Sequence, residues 1–471
     1  MELADHSLTW IAREIAGGRE LPSRVVDAYL RRIEELDPEL GAYVEVFTDA
    51  AHRAARASEA KLHAGIPPGP LEGVPMAIKD LLDIEGSVTR CGSALYADHP
   101  VSTVTATVVQ RLQAAGAVVI GKVHLVELAY GAWGTNADLG TPRNPWDNRV
   151  HRVPGGSSSG CAVAVAAGLA AGAVGTDTGG SVRIPSAFCG LTGLKTSTGR
   201  VSRHGLSLLS STLDTIGPMA RTARDAAHLL QVMQGKDSAD PLTLDTPLQN
   251  VVDELDAPIR GVRFALPDPT AWASIQPEVL CAVQHVGEVL RALGCVQQDE
   301  STVRLDLRSC QQASGVIISR EAFGNHGRKL IGAAARGDDA ARARVLRGQA
   351  VSTAQYETAL HERARHVARF SAHFENLDLL VLPTVGMAAP RLADIDEDDS
   401  APSLFTRFVG FCGLCALALP AGHTAGGLPV SVQLVAGRLQ EGLLLRAAAA
   451  FQAVTAHHLR RPPTRIGPAG S

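Results

Sequence analysis

Three short pieces of this sequence set serine and lysine among glycines. Gly73-Val-Pro-Met-Ala-Ile-Lys79-Asp80 ends an apolar run on a lysine and an aspartate. Pro154-Gly-Gly-Ser157-Ser158-Ser159-Gly160 holds consecutive serines between glycines, and Gly175-Thr-Asp177-Thr178-Gly179-Gly180-Ser181-Val-Arg183-Ile-Pro185 puts a serine directly after a glycine pair. Glycine lets backbone approach a bound molecule and turn its N–H groups toward one point, which is what holding an oxyanion requires. Ser181 in such a nest has the surroundings of a nucleophile. A serine hydroxyl needs a base, because it is weakly nucleophilic until its proton is taken. His151 and His204 flank the two serine-bearing segments without lying inside them. The alternative is a lysine whose pKa, ~10.4 in water, falls once burial penalises the ammonium. Lys79, at the end of an apolar run, is in the right kind of place.

These residues need elements to hold them. Residues 74–78 read as a short buried strand that delivers Lys79 and Asp80 at its end. Residues 103–115 read as a helix and 117–120 as a strand, so strand and helix alternate as in a mixed or parallel sheet. Upstream, 8–15, 22–36 and 49–62 carry helical patterning, ended by the helix-breaking Gly65-Ile-Pro-Pro-Gly-Pro70. Downstream, 225–234, 278–293, 335–347, 354–374 and 442–453 read as helices, and 262–266, 377–382, 416–419 and 429–434 as strands. Residues 235–376 lack glycine-rich catalytic pieces and are expected to form a cap or pocket wall.

Composition narrows the classes. The 471 residues allow one to three domains on a prior of ~150 residues each. Apolar residues at 45% and a mean hydropathy of +0.07 provide for a large core and exclude general disorder. A net charge of −4 without a polybasic block argues against a nucleic-acid surface. With no leader-like start and no run approaching ~18 apolar residues, the reading is a cytoplasmic protein with no membrane contact. Eight scattered cysteines read as reduced thiols. Many of the 46 glycines fall in 131–199, a stretch also dense in serine and threonine and nearly free of acids.

The three pieces, together with others in order along the chain, resemble the amidase signature family. The others are Gly-Ala-Trp-Gly-Thr-Asn-Ala-Asp-Leu-Gly-Thr-Pro-Arg-Asn-Pro over 131–145, Gly190-Leu-Thr-Gly-Leu-Lys195, Gly199-Arg-Val-Ser-Arg203, Ser211-Thr-Leu-Asp-Thr-Ile-Gly-Pro218, Leu382-Pro-Thr384 and Gly427-Leu-Pro-Val-Ser-Val-Gln-Leu434. The resemblance covers nearly the whole chain, most specifically 73–218. It implies an α/β fold: a single large domain whose central mixed β-sheet is covered by helices on both faces. Residues 1–65 would be N-terminal helices packing on an amidase domain of 66–471. It also implies amide hydrolysis by a Ser-cisSer-Lys triad. Lys79 is then the base, Ser157 the bridging serine after a cis peptide bond, and Ser181 the nucleophile. Thr178, Gly179 and Gly180 would form the oxyanion hole, with Ser158, Asp177 and Arg183 in support. No cofactor or metal is implied, and the partner is a small or medium amide, anilide or carbamate; a homodimer is the assembly to test. The competing reading is the glutamine-hydrolysing A subunit of a tRNA-dependent amidotransferase, which 199–218 and 427–434 also resemble. Such a chain is expected to hold an acid ahead of 410–415, and 403–413 contains none.

The chain departs from the family pattern in two places. Ser159 stands where a glycine is common and Cys161 follows Gly160, while 410–415 lacks the usual Asn and Pro, which bears on substrate preference. Other motifs compete for attention. Gly156-Ser-Ser158-Ser-Gly160 fits the nucleophile elbow of α/β-hydrolases, which would need an acid and a histidine from among His366, His373 and His423. Ser58-Glu-Ala-Lys61 matches S-x-x-K but lies on a polar helix without companion motifs. His361 and His366 are one residue too far apart for H-E-x-x-H, which turns the second about 140° around a helix. Cys412-Gly-Leu-Cys415 has no second pair and reads as two buried thiols. Beside Ser181, Asp177 and Arg183 could meet a substrate carboxylate or brace the loop as an ion pair.

Overall fold

In the computed structural model, residues 2–463 are described, apart from 272, 300–302, 304 and 333–336. The strands in chain order are β1 (Tyr43–Val46), β2 (Pro75–Lys79), β3 (Val118–Val123), β4 (Gly172–Asp177), β5 (Thr192–Lys195), β6 (Thr215–Ala220), β7 (Arg263–Ala265), β8 (Val296–Gln297), β9 (Leu379–Pro383), β10 (Cys415–His423) and β11 (Pro429–Ala436). They join in one mixed sheet in the order β1-β3-β2-β4-β6-β5-β10-β11-β9-β7-β8. β2 lies parallel between β3 and β4, and every residue of all three is buried. Burial on both faces is why 74–78 and 117–120 read as continuous apolar runs and not as alternating ones.

Helices cover both faces, and the strands show it by their period of two. Leu379 and Val381 of β9 join one core cluster with Leu417 and Leu419 of β10; Leu380 and Leu382 join a second on the opposite face with Ala416. The first cluster takes apolar residues from helices Leu8–Ala16, Pro22–Leu40, Ala223–Met233, Pro277–Ala292 and Glu441–Val454. The second takes them from Leu307–Gly332, Thr353–Asn376 and Leu404–Phe411. Helix Ser159–Ala166, buried along its whole length, fills the space between β3 and β4 in sequence. Its small residues are a packing requirement: a Cβ on Gly160 would sit 2.4 Å from the His124 backbone nitrogen.

Two sequence expectations change here. The N-terminal 65 residues are not helices alone, because β1 is inserted between the second and third helices and pairs antiparallel with β3. Its four half-buried residues are too few to show a strand period. Residues 235–376 supply helices and also β7 and β8, and β7 pairs with β9 in the common sheet. The helix expected over 335–347 is seen as Asp339–Arg347, and residues 335 and 336 lie outside the described residues. Among the described residues no helix is long and apolar enough to cross a membrane.

The sheet is closest where glycine faces backbone. A Cβ on Gly217 of β6 would lie 2.0 Å from the Leu194 carbonyl oxygen of β5, so Gly217→Ala must push two central strands apart. The expected loss in unfolding free energy is about 1–3 kcal/mol, read from urea denaturation. An unchanged midpoint would contradict the close approach of β5 and β6.

Candidate active site

β2 ends on Lys79, whose side chain has no solvent exposure. Its Nζ donates to Ser157 Oγ at 2.8 Å and to Thr176 Oγ1 of β4 at 2.8 Å. The β2–β4 register, with Ile78 opposite Val174, is what brings Thr176 within reach. The carboxylate next along the chain is already taken, because Asp80 faces Lys122 of β3 at 3.1 Å with both side chains fully buried. Lys79 is left with hydroxyl partners. Burial lowers its pKa to about 8, against a partial opposing pull from nearby groups that include Asp214 and Asp177.

The two glycine–serine segments meet over this lysine. The Gly156–Ser157 peptide bond is cis, and Ser158 N–H donates to the Ser181 carbonyl at 3.2 Å, tying the segments together. Ser158 Oγ donates to the Thr176 carbonyl at 3.3 Å, so it touches the strand that carries the lysine's partner and not the lysine itself. Ser181 is 9% exposed. It opens onto a cavity of about 280 Å³ whose wall also includes Gly131, Gly156, Thr178 and Gly179. Lys79 and Ser157 lie behind that wall, without exposure.

Asp177 organises the loop. Its carboxylate accepts from Gly180 N–H at 2.8 Å and Val182 N–H at 3.2 Å. The Arg183 guanidinium grips it through Nε and Nη2, each at 3.0 Å. Arg183 also donates to the Thr406 carbonyl and to Gln433 Oε1, so its donors are spent on protein. Burial alone would raise the Asp177 carboxyl, but Arg183 and the backbone donors hold it below the ordinary range. Both side chains are fully buried, which makes the pair a brace and removes the alternative of a substrate contact.

One expected oxyanion donor is corrected by this geometry. The Gly180 N–H is committed to Asp177 and cannot also face a substrate carbonyl. Gly180 is instead there for its backbone, at φ +134° with Thr406 Oγ1 2.2 Å from where a Cβ would be. The N–H groups of Thr178, Gly179 and Ser181 meet no acceptor among the described residues. Thr178 is fixed by its own hydroxyl, which donates to Asp214. Burial raises the Asp214 carboxyl to about 6, while Thr178 and the N–H groups of Leu209 and Ser210 oppose that rise.

The other candidates fall away from the cavity. Ser58 Oγ and Lys61 Nζ both donate to Glu72, at 2.7 and 2.6 Å. The His366 ring contacts Ser309 and Cys310, and none of His151, His204, His366, His373 or His423 lines the cavity around Ser181. Ser158 therefore lacks the histidine an elbow would require. All eight cysteines are free. The Cys412 and Cys415 thiols diverge, the first toward Cys310 and the second donating to the Gly437 carbonyl at 3.1 Å. Sequence reasoning did not single out Thr176, Asp214 or Arg407. The first two lie inside quoted segments; Arg407 is the lone charge in the helix Leu404–Phe411, and that is its only signal.

Comparison with known proteins bears on this arrangement. The Amidase family model matches residues 24–445. The A subunit of the glutamyl-tRNA(Gln) amidotransferase of Roseiflexus castenholzii is 37% identical, over 96% of this chain and 97% of that protein. A solved structure, described as a vestigial protein complex that reveals the evolutionary origins of an s-triazine catabolic enzyme, superposes with a TM-score of 0.89 at 31% identity, covering 95% of this chain and 98% of that one. The structure of a 6-aminohexanoate cyclic dimer hydrolase gives a TM-score of 0.87 at 26% identity, covering 98% and 99% of the two chains.

The brace yields a stability prediction. Arg183→Met leaves Asp177 buried without its countercharge and should lower the unfolding free energy by about 3–5 kcal/mol. Adding Asp177→Asn should recover part of that loss in a double-mutant cycle. Strictly additive losses would show that the two side chains are not coupled.

Proposed function

The chain belongs to the Amidase family, and from that premise we propose that it is an amidase that cleaves the carbon–nitrogen bond of a small or medium amide through an acyl-enzyme on Ser181. The observation that carries the reading is the buried Lys79 amine against Ser157 Oγ, with the Ser181 segment tied to the same wall. A lysine with pKa about 8 is neutral in roughly a tenth of molecules at pH 7, and only that form has a lone pair to accept a proton.

The steps follow. Lys79 takes the Ser157 proton as Ser157 takes that of Ser181, and Ser181 Oγ bonds to the amide carbon. The carbonyl electrons move onto oxygen, where the N–H groups of Gly179 and Ser181, with Thr178 beside them, hold the charge. Loss of one such donor commonly costs ~3 kcal/mol of transition-state stabilisation. Ser157 then passes a proton to the leaving nitrogen as the C–N bond breaks and the Ser181 ester remains. Water, deprotonated through the same relay, adds to the ester; the acid leaves and Ser181 regains its proton. Arg183, Asp177 and Ser158 position the loop and take no part in the proton transfers.

One observation favours a second reading, glutamine hydrolysis within a tRNA-dependent amidotransferase: the 37% identity to the A subunit of such an enzyme over nearly the full length. Against it, 403–413 carries no acid to meet the ammonium of glutamine. The acids on the cavity wall, Glu397, Asp398 and Asp399, lie outside that segment, and Arg344 and Arg347 pair with the first two. Assaying the isolated chain with glutamine beside aliphatic and aryl amides separates the two, since glutaminase activity that appears only with tRNA and the other amidotransferase chains would select the second reading.

Ser181→Ala is expected to abolish both turnover and labelling by a fluorophosphonate, and label on Ser158 in that variant would overturn the nucleophile assignment. In the parent chain kcat/KM should rise about tenfold per pH unit below pH 8 and level off above it, because deprotonation of Lys79 creates the active form. Lys79→Ala should lose about three orders of magnitude or more while keeping its unfolding midpoint within the folded range. A profile flat between pH 6 and 9 would remove Lys79 from the role of base.

A further inference from the structure

The cavity beside Ser181 holds a cation that no carboxylate among the described residues pairs with. Arg407, on helix Leu404–Phe411, lines the cavity together with Thr178, Gly179 and Ser181. Its Nε is buried without an acceptor, and no hydrogen bond or ion pair joins its guanidinium to any described residue. The group sits against the oxyanion loop: its Nε lies 3.4 Å from where a Cβ on Gly179 would be, and its Nη1 3.8 Å from the same point on Gly315 across the cavity. Burial lowers its pKa, a sign that the charge is held at a cost.

The neighbouring charges are all otherwise engaged. Arg344 faces Glu397 at 3.7 Å and Asp398 at 4.0 Å, and Arg347 faces Asp398 at 3.0 Å. Asp399 accepts from Ala401 N–H at 2.8 Å. Asp177 and Asp214, near the loop, are occupied by Arg183 and Thr178. The Tyr130 hydroxyl bonds to Ser319 Oγ at 2.9 Å. An arginine in a partly desolvated pocket, with free donors and no protein carboxylate, is a preformed site for an anion, and its fork matches a carboxylate with two parallel hydrogen bonds.

We propose that Arg407 makes this site select amides that carry a carboxylate a few atoms from the scissile carbonyl, which the guanidinium grips while Ser181 attacks. This rests on the hydrolase reading and adds the substrate class to it. A neutral amide in the same place would leave the guanidinium unpaired, so discrimination arises from the penalty on the neutral competitor as much as from attraction to the anion.

The test compares acid amides with their neutral, near-isosteric diamides at three chain lengths: oxamate with oxamide, malonamate with malonamide, and succinamate with succinamide. At one length or more, the acid amide should have the higher kcat/KM by at least tenfold. Arg407→Met should reduce that ratio by about 10- to 100-fold, chiefly through KM, and Arg407→Lys should retain part of it. Labelling of Ser181 by an uncharged fluorophosphonate reports that the variant site is assembled; if Arg407→Met is not labelled, Arg407→Gln takes its place. Diamides hydrolysed as well as acid amides at every length, or a ratio unmoved in a labelled variant, would overturn the proposal while the hydrolase reading stands. A parent chain that hydrolyses aliphatic or aryl amides but none of the three acid amides would overturn the proposal alone; one that hydrolyses no amide and whose Ser181 resists labelling would overturn both.

Discussion

Everything at this site depends on one buried ammonium denied a counterion. Lys79 sits without exposure at the end of a strand that is covered on both faces, with two hydroxyls as its partners and the adjacent carboxylate of Asp80 turned to Lys122. In water a lysine is a poor base at neutral pH because it is almost wholly protonated. Here burial brings its pKa to about 8, so the fold itself gives Lys79 the basicity that the proposed proton relay needs. Had Lys79 met a carboxylate directly, the pair would have held the proton and the lysine would be a structural ion.

The two arginines near the loop show the same logic from opposite sides. Arg183 is buried with Asp177, and together they fix the turn that aims Ser181 into the cavity; its donors end on Asp177, Gln433 and the Thr406 carbonyl. Arg407 is one residue beyond Thr406, points into the cavity and has no such closure. The same short helix therefore contributes a backbone acceptor to the brace and a free cation to the pocket. Glycine makes this density possible, most clearly at Gly180, where no Cβ fits against Thr406.

Much of this was legible in the sequence, but unevenly. Strands that are apolar runs, such as β2, β3 and β9, the alternating strand β11, and helices with clear amphipathic periods were readable from pattern alone. β4, written Gly-Ala-Val-Gly-Thr-Asp, was not, since its close packing against β2 and β6 selects small residues with little strand propensity. Helix Ser159–Ala166 is buried all round and has no polar face to reveal it. Helix Leu307–Gly332 is interrupted by Gly315, Gly324 and Gly327, which mask its period. At the site, Lys79, Ser157 and Ser181 were found from glycine context and family resemblance. The commitment of the Gly180 N–H to Asp177 was not legible, because sequence names donors but not where they point. Thr176 and Arg407 needed the β2–β4 register and the placement of a distant helix, both tertiary facts.

The fold holds Lys79 as a weakly basic amine. The most direct measurement is the titration of its side chain by NMR on protein labelled at lysine Cε, assigned by loss of the signal in Lys79→Met. A midpoint near pH 8 is expected. A Lys79 signal that titrates near 10.5, like a lysine in water, would contradict it.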